Sequence, residues 1–122
     1  IADNSEIFID EIVKEINLCQ EKGFQSICLI CKTEKNSIYL FNKIKHKLDI
    51  QLIKNGSVSD LQGVFILPVY MSKGLEFDAV LICDADSQNY HDEDDKNLLY
   101  VACTRALHKL SLFCENEVSP LI

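Results

Sequence analysis

Positive charge is scarce in this sequence. Twelve Lys and Arg stand against nineteen Asp and Glu, a net charge of −7. That balance argues against a free-standing nucleic-acid binder, which shows a basic footprint. It leaves room for a module that contributes part of a nucleic-acid channel in a larger protein. Arginine occurs once, at Arg105. Long apolar runs are missing too. None approaches the ~20 residues of a membrane span, and no signal-peptide pattern is present. The expectation is a cytoplasmic protein with no membrane partner. There is no G-x-x-x-x-G-K-[ST] phosphate loop, and no obvious strand ends in paired acids suited to magnesium. The chain therefore cannot assemble a complete nucleotide site alone.

A second C-x-x-C is absent, as is any paired-histidine spacing. The six cysteines include Cys28 and Cys31, which spell one C-x-x-C. That motif lies inside an apolar run. In a strand, residues three apart point to opposite faces and cannot share a metal or close a disulfide. The cysteines read as reduced and mostly buried, and no metal site is expected.

What is present reads as one α/β domain. At 122 residues the chain has the length of a single domain. A chain of this size buries roughly two-thirds of its unfolded surface, enough for one core. It begins at Ile1, and we expect it to be a fragment of a longer parent. The informative stretch is residues 64–83, VFILPVYMSKGLEFDAVLIC. Its two apolar runs, 64–67 and 79–83, read as strands buried on both faces, as in a parallel sheet covered by helices. The loop between them carries Lys73, Gly74 and Glu76. At the rim of a parallel sheet this trio suits an anionic or hydroxyl-bearing ligand: Gly74 permits close backbone approach, Lys73 offers a cation, Glu76 accepts from a hydroxyl. A tight turn with two solvated charges is the plainer alternative.

Elsewhere the chain alternates helix and strand signals. Asp3-Asn4-Ser5-Glu6 is a helix start, followed by Ile9, Ile12, Val13, Ile16 and Cys19 at helical spacing and Gly23 as the stop. Residues 26–31 read as a strand. Thr33 caps a helix to about Lys47, with Ile38, Phe41, Ile44 and Leu48 as its apolar stripe and Lys43, Lys45 and Lys47 mainly off it. Residues 51–54 are a short strand, Asn55-Gly56-Ser57 is a turn, and 59–62 carries no clear signal. The segment 84–95, DADSQNYHDEDD, reads as a solvated loop whose last acids, Asp94 and Asp95, cap a helix from about Lys96 to Ala106. His91 has no partner at ligand spacing. Residues 109–114 read as a last strand and 115–122 as a tail. Arg105 projects from nearly the same side as Leu98, with Ala102 and Val101 rather than an acid at i−3 and i−4. It needs an anion from elsewhere or an escape to water.

Two blocks together carry a resemblance. "KGLEFD" before an apolar strand looks like motif V of superfamily 1 helicases of the UvrD/Rep type. "YVACTRA", residues 100–106, resembles their motif VI. The variant "LPVYMSKGLEFDAV" is most similar to the HelD-like branch, where tyrosine replaces a histidine. The resemblance implies a RecA-like three-layer domain with a mainly parallel sheet flanked by helices, spanning 1–122 and carrying motifs IV, V and VI. It implies the second half of an ATP-dependent DNA helicase or translocase, inactive as a fragment. Its ATP would lie against the N-terminal RecA-like domain of the same chain, which would also supply the Mg2+ ligands. Arg105 is then the arginine finger on the γ-phosphate, Glu76 accepts from the ribose 3′-hydroxyl, and Gly74 allows the backbone approach. Lys32 matches the motif IV arginine as a second cation, without the guanidinium fork, and Cys31 stands where the family has an adenine-stacking aromatic. An exposed lysine at a helix start is the other reading of Lys32. Tyr70 replaces the nucleic-acid-contacting histidine and could stack on a base of single-stranded DNA. A core-edge tyrosine is the alternative. Lys73 is typical of the family and groups with Tyr70, with no assigned ligand atom. Two further readings of the whole stay open: a HelD-like ATPase acting on RNA polymerase, and a non-catalytic interaction domain.

Overall fold

The computed structural model describes residues 4–53, 62–114 and 119–122. Its elements run α1 (Asn4–Glu21), β1 (Ser26–Cys31), α2 (Glu34–Ile44), β2 (Gln51–Leu52), β3 (Gly63–Pro68), a 3-10 turn (Val69–Ser72), β4 (Phe77–Ile82), α3 (Glu93–Cys103) and β5 (Ala106–Leu112). Among the described residues the strands form one sheet in the order β2-β3-β1-β4-β5, and every pairing is parallel. The expected RecA-like α/β plan of three layers is present.

Period-2 alternation explains how uninterrupted apolar strands feed two cores. Ile27, Leu29, Val64, Ile66, Ala79 and Leu81 face α1 and α2. Cys28, Ile30, Phe65, Leu67, Val80 and Ile82 face α3 and the 3-10 turn. Cys28 and Cys31 thus lie on opposite faces, as their spacing requires. All six cysteines are free. Burial pushes the Cys28, Cys31 and Cys83 thiols well up, so they remain protonated. Truncating a fully buried isoleucine such as Ile12 or Ile66 to alanine costs about 2–5 kcal/mol.

α1 buries Ile9, Ile12, Ile16 and Cys19. It ends where Gly23 takes φ +86°, with Phe24 N–H on Cys19 O and Gly23 N–H on Gln20 O. This is the Schellman stop that glycine favours. The start signal at Asp3 lies outside the described residues, as do the turn 55–57 and most of 59–62. Lys54 of the 51–54 strand lies outside as well.

Three expectations change. First, α2 stops at Ile44 and its core face is Ser37, Leu40 and Ile44. Ile38 is 40 % exposed. Ser37 is tolerated inside because its hydroxyl donates to Thr33 O at 3.1 Å. Second, α3 begins three residues before Lys96 and ends before Arg105. Its cap is Asp92, in a reciprocal capping box with Asp95, and Asp94 is exposed. β5 accordingly starts at Ala106 rather than at 109. Third, the segment 84–95 is no solvated loop. Ala85, Asp86, Tyr90 and Asp95 are buried. The chain end covers it: Ser119 N–H reaches Ala85 O at 3.1 Å and Ser119 Oγ reaches Tyr90 O at 2.5 Å. Among the described residues no helix is long and apolar enough to cross a membrane.

Candidate functional site

In an all-parallel sheet every strand starts at one rim and finishes at the other. Six-residue strands separate the two rims by about 20 Å. The expected site residues divide between them.

The rim where strands begin holds Gly74, Glu76 and Arg105. Ser72 to Leu75 forms a type II turn: Lys73 has φ −61° and ψ 129°, Gly74 has φ +80°, and Leu75 N–H donates to Ser72 O at 3.0 Å. Position i+2 of that turn demands glycine. A methyl added to Gly74 would meet nothing within 4 Å. Within this chain, then, Gly74 sets a conformation, and the space over its Cα is open. Lys73 and Glu76 are exposed, and neither has a hydrogen bond or ion pair among the described residues. Phe77 is fully buried and anchors the turn. Asp78 is structural: its Oδ2 accepts from Gln25 N at 2.9 Å and Ser26 N at 3.3 Å, stitching β4 to the start of β1.

Arg105 lies 30 residues further on, yet reaches the same turn. Parallel pairing brings the starts of β4 and β5 together, and Phe77 N–H donates to Arg105 O at 2.9 Å. The guanidinium is half-buried. Nε donates to Val101 O at 3.2 Å, Nη1 to Leu75 O at 3.4 Å and Nη2 to Thr104 Oγ1 at 3.3 Å. It has no carboxylate partner among the described residues. A guanidinium carries five N–H donors. Three are engaged, so one donor remains on each terminal nitrogen, two in all for an incoming anion. Its charge stays uncompensated, held against carbonyls at the negative end of α3.

The rim where strands finish holds Lys32 and Tyr70. Lys32 Nζ pairs with Asp95 Oδ1 at 2.6 Å, and its N–H donates to Asp84 Oδ2 at 2.7 Å. The Lys32 ammonium, with the backbone N–H groups of His91 and Asp92, lowers the Asp95 carboxyl to about 2. Asp84 also accepts from Asn36 Nδ2 at 2.8 Å, while burial pushes its carboxyl up. Its other oxygen and the Tyr90 hydroxyl are both buried and fall short of hydrogen-bond geometry. Burial and the nearby Asp84 charge push Tyr90 strongly up. Tyr70 is exposed, with its hydroxyl 3.3 Å from Glu34 Oε2. A crevice of about 180 Å³ opens here between α1, α2 and the segment after β4, with Asn36, Asp84, Asp86 and Asn89 among its walls. It sits where chains leave β1 and β4 toward opposite faces, the place where open α/β sheets open a cleft.

The structure therefore joins Arg105 to the turn of Gly74 and Glu76, and does not bring Lys32 to them. One phosphate cannot touch both Lys32 and Arg105, because the sheet's length lies between. Motif order in a sequence says nothing about which rim a loop occupies. Sequence reasoning also missed Thr104, the Leu75 carbonyl and Asp78. The glycine at position 74, a residue that type II turns favour, is the one signal in the sequence that points to the Leu75 carbonyl. His91 is exposed as expected but does have a neighbour, with Nδ1 3.5 Å from Asp95 Oδ2. With Asp92 it forms a candidate metal cluster, yet Asp95 is already committed to Lys32 and to capping α3.

Comparison with known proteins places the chain in a family. Residues 63–113, from β3 through β5, match the model of the UvrD-like helicase C-terminal domain. The fold superposes on the C-terminal domain of a possible DNA helicase from Lactobacillus plantarum WCFS1 with a TM-score of 0.85 and 30% identity, covering 93% of this chain and 70% of that one. A more distant overlap, with TM-score 0.45 and 17% identity over 78% of this chain and 24% of that one, is with the arterivirus nonstructural protein 10 helicase in complex with DNA. No curated protein matches by sequence. With both motif blocks inside the matched span and the whole sheet shared with a helicase C-terminal domain, this chain belongs to the UvrD-like helicase C-terminal domain family.

Proposed function

We propose that this chain is the second RecA-like half of an ATP-dependent DNA helicase or translocase. Arg105 serves as its arginine finger. The observation that carries the reading is the free fork of Arg105 beside the Gly74–Glu76 turn: a half-buried guanidinium with two unspent donors and no carboxylate partner. Such a group suits the equatorial oxygens of a γ-phosphate, where charge grows as the bond to the leaving group breaks. Glu76, exposed on the same rim, accepts from a ribose hydroxyl. Gly74 holds the turn that aims both. Lys73 stands beside them as a cation for a phosphate of nucleotide or nucleic acid. Asp78 is spent on backbone N–H groups, and the Mg2+ ligands are assigned, with the phosphate loop, to a first RecA-like domain. Domain closure around ATP brings Arg105 in, and hydrolysis releases it, coupling chemistry to relative domain motion.

The test is Arg105→Ala in the parent chain. The expected result is a fall in ATP turnover on the order of a thousandfold or more, with the circular-dichroism melt unchanged. Normal turnover would overturn the reading.

A second reading concerns the target rather than the chemistry. Tyr70 offers a ring for stacking on single-stranded DNA, but Glu34 stands at its hydroxyl and the acidic segment 84–95 lines the same rim. Acids there repel a phosphate backbone. This favours the HelD-like alternative, in which the ATPase acts on RNA polymerase. Strong stimulation of the parent's ATPase by single-stranded DNA would decide for the helicase.

A further inference from the structure

The hydroxyl of Thr104 is placed to do two things at once. It donates to Val101 O at 2.8 Å and accepts from Arg105 Nη2 at 3.3 Å. On the other side Nη1 rests on the Leu75 carbonyl, whose direction follows from the type II turn at Gly74. Nε is held by Val101 O. Three acceptors from two segments thus fix the plane of the guanidinium before any anion arrives. None of them is charged, so none competes with an anion for the cation. An arginine side chain carries about 2 kcal/mol of rotamer entropy. Freezing it beforehand removes that cost from the step in which the charge is needed.

We infer that Thr104 is a positioning residue for Arg105, acting with the Leu75 carbonyl as a rest that presents the two spare N–H groups as a fork. The inference builds on the assignment of Arg105 to phosphate. A rest of this kind contributes in the transition state and little in ground-state binding. Removing it lowers kcat and leaves KM for ATP in place.

Thr104→Val keeps the shape and removes the hydroxyl. Thr104→Ser keeps the hydroxyl. In the parent chain, Thr104→Val is expected to lower kcat on the order of tenfold, the worth of one hydrogen bond to a charged group, with KM unchanged. Thr104→Ser is expected to retain most of the activity. A second readout needs no turnover. Arg105 is the only arginine, so the 122-residue chain has one set of guanidinium resonances. Tethered on both sides, its terminal nitrogens should exchange slowly in a 15N spectrum, and Thr104→Val should speed that exchange while Thr104→Ser does not. Unchanged exchange in Thr104→Val overturns the inference. So does wild-type kcat in Thr104→Val when Arg105→Ala is inactive. Normal turnover in Arg105→Ala strikes instead at the assignment of the arginine.

Discussion

The two rims of the sheet treat charge in opposite ways. Where the strands finish, several polar groups are satisfied within the chain, Lys32 on Asp95, Asp84 Oδ2 on Lys32 N–H and Asn36, Asp86 on Asn89, Tyr70 on Glu34, while Asp84 Oδ1 and the Tyr90 hydroxyl stay buried and unpartnered among the described residues. Where the strands begin, Lys73 and Glu76 are unengaged among the described residues, and Arg105 keeps two donors in reserve. Folding stability is served by the first arrangement, since a buried polar group costs free energy until it is paired. Ligand binding is served by the second. Under the proposed function, exposed and unspent capacity, rather than proximity of acids and bases, marks the site.

The contrast breaks most readily at Lys32. If the rims have separate duties, Lys32→Ala in the parent retains ATP turnover within a few-fold, against the thousandfold loss for Arg105→Ala. Equal losses in a steady-state ATPase assay would mean that the rims are not separate. Next in size is Asp95→Ala, which strands Lys32 and removes half of the α3 capping box. It is expected to destabilise the domain by about 2–3 kcal/mol in urea unfolding. Asp95 also gives a pH signature. Its carboxyl is lowered in the folded chain, so its contribution is complete above the ordinary carboxylate range and is lost as pH falls through about 2. Asp95→Asn should flatten the decline in urea midpoint between pH ~4 and ~2. Smaller again is Gly74→Ala, which forces a side chain into φ +80° and is expected to cost about 1 kcal/mol in stability, without any clash to relieve. The smallest effect belongs to Tyr70→Phe, which is expected to leave the urea midpoint unchanged in the same assay, because an exposed hydrogen bond to Glu34 trades evenly with water.

Strands β1, β3 and β4 were legible because both of their faces are buried, which leaves uninterrupted apolar runs in the sequence. The face of α2 was not, because Ser37 meets its hydrogen-bonding need on Thr33 and hides among apolar neighbours. The segment 84–95 misled for a related reason. Six acids within twelve residues suggest solvent, yet Asp95 takes the N–H groups of His91 and Asp92, and Asp84 takes that of Lys32. Backbone donors at a helix start can shelter a carboxylate that composition would send outside. The pairing of Arg105 with the turn around Gly74 was implied by the family resemblance of the two blocks and by nothing in their spacing. Lys32 follows the end of its strand and Arg105 precedes the start of its own, so parallel pairing alone puts them on opposite rims; the resemblance of Lys32 to motif IV pointed the other way.

α3 is short, eleven residues or about 16 Å of rise. Its first turn is pinned through Asp95 to Lys32, and Arg105 follows two positions after its last residue. So short a rod has little room to flex. The Asp92–Asp95 capping box and the guanidinium of Arg105 therefore stand at the two ends of one stiff rod, one on each rim.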